Sequence, residues 1–308
     1  MRRTRTTEPT RPSHVQTLSH IKSLLAARGI APRHAFGQNF LHDHNQIRKL
    51  VDRAGIRPGD TVLEVGPGTG ALTVALIAAG ARVIAAELDR DMCAIVTSEA
   101  ARAMELPRTA GSPPAHETFT LLEGDCLAGK HAISPALAAA LGDRPFTLVA
   151  NLPYHAATPL MLNLLCDWPT CRGQFVTIQR DVADRLMATP STDAYGALSV
   201  MATLLAHVSM ISVLPPGCFW PAPKVTSAMV AIEPHTPRPP IDAHRLSAFL
   251  HRVFSMRRKQ LGRILGDAIA WPDGITRTMR PEQLSPEQLL ELSRLAPAPG
   301  SGPTAPPA

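Results

Sequence analysis

Aromatic side chains are scarce in this chain. Phe, Trp and Tyr make up 4% of 308 residues, while hydrophobic residues reach 45%. The core must therefore be mostly aliphatic. Cysteine is also sparse: Cys93, Cys126, Cys166, Cys171 and Cys218 form an odd set with no CxxC and no paired His spacing. That pattern speaks against a disulfide framework and a zinc site, so no metal is expected and a reducing cytoplasm is the expected compartment. The opening "MRRTRTTEPTRPS" lacks the apolar run of a secretory signal, and Glu8 and two prolines argue against a transit peptide. One uncharged run, "GALSVMATLLAHVSMISVL", is long enough to raise the question of a membrane span. His207 and three serines within it favour a buried helix followed by a strand, and no membrane partner is expected. There is no internal repeat.

What the chain does have is a modest excess of positive charge, +6 formally with a pI near 9.4, which suits a polyanionic partner. Both ends are rich in Pro, Gly, Ser and Thr and read as disordered, a basic tail over 1–17 and a Pro-rich tail over 297–308. Between them "DTVLEVG", "ARVIAAE", "TFTLLEG", "FTLVAN" and "QFVTIQ" read as short apolar strands separated by helical segments. This alternation predicts an α/β fold, a parallel sheet covered on both faces. Ahead of the first strand, Asp43 is placed to cap a helix whose apolar face is Ile47, Leu50, Val51 and Ala54, and Gly55 to end it. "MELPRTAGSPPAHE" reads as a loop inserted before the third strand. After Pro234 the pattern turns helical, giving an α/β unit over 18–236 and a smaller helical unit over 237–296. Nothing in the chain asks for a dimer, and a monomer is expected.

Chemistry gathers at the strand ends. "VLEVGPGTGALT" puts Gly66, Gly68 and Gly70 between the first strand and a helix, where open α/β sheets bind cofactors. As G-x-G-x-x-A it half matches a dinucleotide fingerprint; as E-x-G-x-G-x-G from Glu64 it better matches the loop of adenosylmethionine-dependent methyltransferases. A glycine turn without a ligand is the bland alternative. Glu87 ends the second strand, 21 positions after Gly66, where a carboxylate can accept from a ribose diol. The bland reading is an ordinary exposed acid, with Asp89 as a second example. Asp125, in "LEGDCL", can accept from an adenine amine, although alone it would be a loop acid. Three strand ends offering these groups together point to an adenosine-containing cofactor.

"NLPYHAATPL" follows the fourth strand. A nucleobase amine is a poor nucleophile because its lone pair is delocalised into the ring. Accepting both amine hydrogens, on the Asn151 side-chain oxygen and a nearby backbone carbonyl in the Leu152 turn, frees that lone pair for in-line methyl transfer. Pro153 stiffens the turn and Tyr154 is placed to stack on the base. The alternative is a strand-terminating turn with a partly buried Tyr. A base within folded RNA must be turned out to reach such a site. Phe219, in "CFWPAPKVTSAMV", would supply a second ring, with core packing of Phe219 or Trp220 as the competing reading.

Here the chain resembles the ribosomal small-subunit RNA adenine N6,N6-dimethyltransferases, over roughly 35–265 and with motifs in order: "FGQNFLHD", "VLEVGPGTGALT", "AAELDRDM", "EGDCL", "NLPYHAATPL", "QRDVADRL", "YGALSVM", "FWPAPKVTSAMV" and "FSMRRKQLGRIL". The resemblance implies a Rossmann-like sheet with a helical C-terminal domain and S-adenosylmethionine as cofactor, with Gln38, Asn39 and Leu41 lining its methionine end. It also implies 16S rRNA in the immature small ribosomal subunit as partner, two adjacent adenosines near the 3′ end each being methylated twice. Departures from the family pattern are His155-Ala156-Ala157 after the tyrosine, Ala197 in place of an arginine, Leu204-Leu205 in place of aromatics, and a longer loop around Pro113.

"HRVFSMRRKQLGRIL" reads as one helix with Val253, Leu261, Ile264 and Leu265 inward and Arg257, Arg258, Lys259 and Arg263 along its surface, a set able to neutralise RNA phosphates. A merely solvated face is the alternative. Three other functions stay open from sequence: a large-subunit (23S) rRNA adenine methyltransferase, a non-catalytic ribosome-assembly factor, and a nicotinamide-dependent oxidoreductase. "NLPYHAATPL" and "YGALSVM" fit the small-subunit branch better, and the last reading leaves Asn151 to Tyr154 without a role.

Overall fold

The structure is a computed structural model and describes residues 16–33, 37–107, 109–129, 132–266 and 269–296. The two predicted disordered tails lie almost wholly outside the described residues. In chain order the elements are α1 (Leu18–Ala26), β1 (Phe40–Leu41), α2 (His44–Ala54), β2 (Thr61–Val65), α3 (Ala71–Ala78), β3 (Arg82–Glu87) and α4 (Arg90–Met104). Next come α5 (Ala115–Thr118), β4 (Phe119–Glu123), α6 (Pro135–Leu141), β5 (Phe146–Asn151), α7 (Tyr154–Asp167) and β6 (Cys171–Gln179). They are followed by α8 (Arg180–Leu186), α9 (Ala197–Leu205), β7 (Ala206–Leu214), β8 (Phe219–Trp220), β9 (Ser227–Pro234), α10 (Ala243–Ser255), α11 (Leu261–Leu265) and α12 (Pro286–Leu295).

Seven strands form one sheet in the order β4-β3-β2-β5-β6-β9-β7, and β1 and β8 make a separate antiparallel pair. From β4 to β6 all neighbours are parallel, whereas β9 joins β6, and β7 joins β9, antiparallel. The sheet is therefore mixed. β7 and β9 are connected without a crossover helix, and a direct return of that kind can only pair antiparallel. The long uncharged run resolves into α9 followed by β7, and no helix among the described residues is long and apolar enough to cross a membrane.

Successive residues of a strand point to opposite faces. Leu63 and Val65 of β2 accordingly enter one cluster, with Leu137, Leu160, Leu164 and Leu198, while Val62 enters another, with Ile47, Leu50, Leu72 and Leu76. Asp43 caps α2 by accepting from the Asn45 and Gln46 amides, and Gly55 ends it at φ 61°. The inserted loop contains the short helix α5, whose Thr118 hydroxyl donates back to the Pro114 carbonyl. The C-terminal helices α10 and α12 pack on α9, and Leu246, Leu250, Val253, Leu289 and Leu292 share a cluster with β2 and β5.

The basic stretch is not one helix. α10 stops at Ser255, the chain turns over 256–260, and α11 restarts at Leu261. The Leu261 and Gly262 amides donate to the Met279 and Arg277 carbonyls, so a tertiary contact takes donors that a continuous helix would use. β2 lies at the centre of the parallel strands. The chain leaves it for β3 and β4 on one side and returns to β5 and β6 on the other, so the sheet's topological switch falls between β2 and β5. Ligands of open α/β sheets bind there, beyond the carboxyl ends.

Candidate active site

A cleft opens at that switch, with about 700 Å³ of empty space including its mouth. It is lined by Gly37 to Leu41, Glu64, the 66–69 glycine loop, Ala71, Leu72, Glu87 and Asn151 to Tyr154. The first, second and fourth strand ends named from sequence thus meet in one cavity, together with Gln38, Asn39 and Leu41. Gly66 adopts φ +67°, and a Cβ there would stand 2.9 Å from Pro153 Cγ. Glycine at this position allows the loop after β2 and the turn after β5 to touch.

Glu87 is 8% exposed. Its Oε2 accepts from the Gly68 amide at 3.1 Å and its Oε1 from the Asp89 amide at 2.9 Å. Burial raises its pKa, and these two amides oppose the rise. A carboxylate has about four acceptor positions, so these amides leave capacity for a diol hydroxyl. Asp89 is not the surface acid it resembled. It is 2% exposed, caps α4, and is held by Arg33 at 3.1 Å and Gln38 Nε2 at 2.7 Å. These partners are 56 and 51 residues away in sequence, a distance over which no local pattern signals an ion pair. Gln38 therefore spends its amide on Asp89 and on the Arg33 amide.

Asn151 is the residue on which the geometry converges. Its Nδ2 donates to the Asn39 carbonyl at 3.0 Å, which orients the amide, and among the described residues its oxygen has no partner. The Leu152 amide donates to Thr177 on β6, while the Leu152 carbonyl accepts no backbone hydrogen bond among the described residues. Two consecutive cleft-lining residues thus each keep an acceptor for which the described residues supply no such partner. The Tyr154 hydroxyl lies 3.2 Å from that of Ser227, the first residue of β9, which anchors the ring from the antiparallel part of the sheet.

Two predicted residues lie elsewhere. Phe219 is 3% exposed and packs with Leu41, Leu214 and Met229, so its ring belongs to the core and does not line the cleft. Its backbone pairs with Leu41 and so holds β1 over the site. Leu41 and Phe219 of the short β1–β8 ribbon enter one core cluster, while Phe40 enters another and Trp220 stacks on it with ring centroids 6.4 Å apart. Asp125 is exposed beyond β4 and does not line the cleft; its Oδ1 accepts from the Leu127 amide at 2.9 Å. Of the basic residues, Arg258, Lys259 and Arg263 are exposed. Arg257 is committed internally, to Glu282 at 2.9 Å and the Asp193 carbonyl at 3.0 Å. Burial pushes Cys93, Cys166 and Cys171 up to about 11 and Cys126 to about 12, leaving poor nucleophiles.

From sequence, Glu64 stands out only as the start of the glycine motif. It is 1% exposed, lines the cleft, and accepts the Thr73 hydroxyl at 2.7 Å. An acid between Leu63 and Val65 of an apolar strand was the available signal. Burial pushes its carboxyl up to about 8. Between the unfolded value near 4.5 and about 8 the native chain holds a proton that the unfolded chain has lost, so stability falls as pH rises through that window. Glu64→Gln is therefore expected to gain on the parent by on the order of 2 kcal/mol more at pH 7.5 than at pH 5.5. Urea unfolding at both pH values measures this, and an equal gain at both would contradict the buried, protonated state.

A parallel-centred sheet with its glycine loop, buried acids and an oriented amide at the switch point is that of a Rossmann-like methyltransferase. Residues 30–296 match the profile of the family described as "Ribosomal RNA adenine dimethylase". The chain belongs to this family and is an enzyme of that class. It is 38% identical over 291 residues to "Ribosomal RNA small subunit methyltransferase A" of Magnetococcus marinus, covering 92% of this chain and 98% of the relative. The protein of the same name from Rhodococcus opacus is 37% identical over 254 residues, 80% of each chain. Among solved structures, a dimethyladenosine transferase from Plasmodium falciparum shares the fold with TM-score 0.64 and 22% identity, over 82% of this chain and 95% of that one. The 23S rRNA methyltransferase ErmE does so with TM-score 0.56 and 23% identity, over 84% and 99%.

Proposed function

We propose that the enzyme uses S-adenosylmethionine to dimethylate N6 of two adjacent adenosines near the 3′ end of 16S rRNA, acting as a monomer on the immature small subunit in the cytoplasm. The observation that carries this reading is the Asn151 amide, oriented by the Asn39 carbonyl with its oxygen unpartnered among the described residues, in a cleft shared with Leu152 and the glycine loop. The curated relatives named for the small subunit support that choice of particle.

The cleft residues fit this cofactor. Among the described residues no Lys, Arg or His lines the cleft, while Glu64 and Glu87 do. A pyrophosphate would face Glu87 and the neutral, buried Glu64 with no cation opposite among the described residues, which disfavours a nicotinamide dinucleotide; a ligand carrying sulfonium and ammonium groups is favoured. In this reading Glu87 takes the ribose hydroxyls, the glycine loop allows close backbone approach, and Asn39 and Leu41 line the methionine end beside Gln38, which contributes as a wall because its amide is held by Asp89 and Arg33. Asp125 is within the same row of strand ends, because β4 pairs with β3 in the register Glu87↔Glu123. When bound, the cofactor supplies an electrophilic methyl group.

Asn151 Oδ1 and the Leu152 carbonyl accept the two hydrogens of the adenine amine and localise its lone pair on nitrogen. Pro153 fixes the turn and Tyr154 offers a face to the base. Once methylated, the amine nitrogen held by these acceptors would be acidic and would release its proton to water, so the site needs no strong base. Arg258, Lys259 and Arg263 supply phosphate contacts. The test is transfer of labelled methyl groups to undermethylated small subunits, with mass spectrometry of the RNA. Dimethyladenosine at both adjacent positions is the expected result. Labelling of large subunits would favour the 23S reading, and binding without any transfer would favour the assembly-factor reading.

A further inference from the structure

A second concave surface lies away from the active-site cleft. It runs between α2 and the edge strand β7 and is lined by Asn45, Arg48, Lys49, Asp52 and Arg53 on one wall and Met210 and Ile211 on the other. Its empty space, mouth included, is about 1050 Å³. We propose that this groove is a phosphate-backbone contact for the RNA substrate, separate from the basic C-terminal segment. The proposal rests on the RNA reading given above and adds a surface to it.

Charge argues for this occupant. Arg48 and Lys49 are both exposed on α2, and neither side chain has a hydrogen bond or ion pair among the described residues. Arg53 is held differently: it makes a two-pronged pair with Glu233 at 2.6 and 3.3 Å, and its guanidinium stands 5.5 Å from the Phe175 ring centroid. The groove therefore carries two free cations, Arg48 and Lys49, beside Asp52 and an Arg53 whose charge Glu233 offsets, so the excess is positive. A polyanion matches this arrangement, whereas a basic protein tail would be repelled.

Shape and position agree. β7 bonds only to β9 within the sheet, and a register shift between Met210 and Ser212 makes Ile211 an extra residue in its strand. A bulge bends the strand and re-aims its side chains, here presenting apolar surface opposite the cations. A nucleotide strand has the same two sides, phosphate and sugar–base. α2 also starts next to the catalytic cleft. Leu41 lines that cleft, Asp43 caps the helix, and Arg48 follows about one and a half turns later. RNA delivering an adenosine to Asn151 can therefore continue along α2.

The test is the double variant Arg48→Gln/Lys49→Gln, assayed for binding to undermethylated small subunits over a range of KCl concentrations. Both side chains are exposed, and the thermal midpoint of the variant checks that its fold is kept. Losing two phosphate contacts is expected to reduce the slope of log K against log salt by about 1.5 and to weaken binding roughly tenfold near 0.1 M salt. The loss should fall on KM for the particle rather than on kcat. A charge-matched control, Arg144→Gln/Arg294→Gln, should change the slope by less than half as much. If the double variant matches the parent in slope and KM while the parent methylates small subunits, the groove proposal is overturned alone. If the parent neither binds nor methylates them, the underlying reading falls with it.

Discussion

Replacing Asn151 by alanine is expected to lower kcat for methyl transfer by on the order of 10²- to 10³-fold, the range seen when one oriented polar group is removed from a reacting centre. S-adenosylmethionine affinity should change far less, because the glycine loop and Glu87 stay in place. The size of the effect follows from how Asn151 is held. Its nitrogen is tied to the Asn39 carbonyl, so the oxygen is already oriented before substrate arrives and no reorganisation is needed during the reaction. Asn151→Asp separates the two roles, since it keeps an acceptor oxygen but loses the donor to Asn39. Its rate should lie between those of the parent and the alanine variant. Single-turnover kinetics with saturating RNA measures the chemical step. More than a tenth of parental kcat in Asn151→Ala would remove this residue from the reaction.

The second large effect is expected at Gly66. Alanine there suffers twice: φ +67° costs a residue with a Cβ about 1–2 kcal/mol, and the new atom would stand 2.9 Å from Pro153 Cγ and 3.1 Å from its Cδ. The proline ring cannot swing aside as a long side chain would, so the clash must move the glycine loop or the turn carrying Asn151 and Tyr154. A displacement near 1 Å costs about 10² in rate, and cofactor affinity should fall by a similar factor. Gly29 provides the control. It has φ +64° with nothing within 4 Å of the position its Cβ would take. Gly29→Ala should lose about 1 kcal/mol of stability and keep its activity. Isothermal titration with S-adenosylmethionine compares the two, and equal affinities would show that the contact with Pro153 has no effect on the site.

The parts of the molecule that sequence revealed are those with local causes. Asp43 and Gly55 end α2 through contacts within a few residues, and the strand ends carrying Gly66, Glu87 and Asn151 follow from apolar runs stopped by polar residues. Parallel pairing of β2, β3 and β5 then brings those ends together without further instruction. The remainder depended on contacts distant in sequence. Asp89 looked like a surface acid because Arg33 and Gln38 reach it from another element. The basic helix breaks at 256–260 because the segment 277–279 claims the amides of Leu261 and Gly262. Phe219 is drawn into the core by the pairing of β8 with β1, which two-residue strands are too short to announce. Asp125 shows the limit of reasoning from strand order, since a residue can follow the correct strand and still stand outside the cleft.

The tether from Asn151 to Asn39 spans 112 residues of sequence. The leading segment is therefore part of the machinery and not a preface to it. A chain cut back to α2 would still own every strand of the main sheet, yet its reactive amide would be free to turn, a folded protein with a loosened trigger.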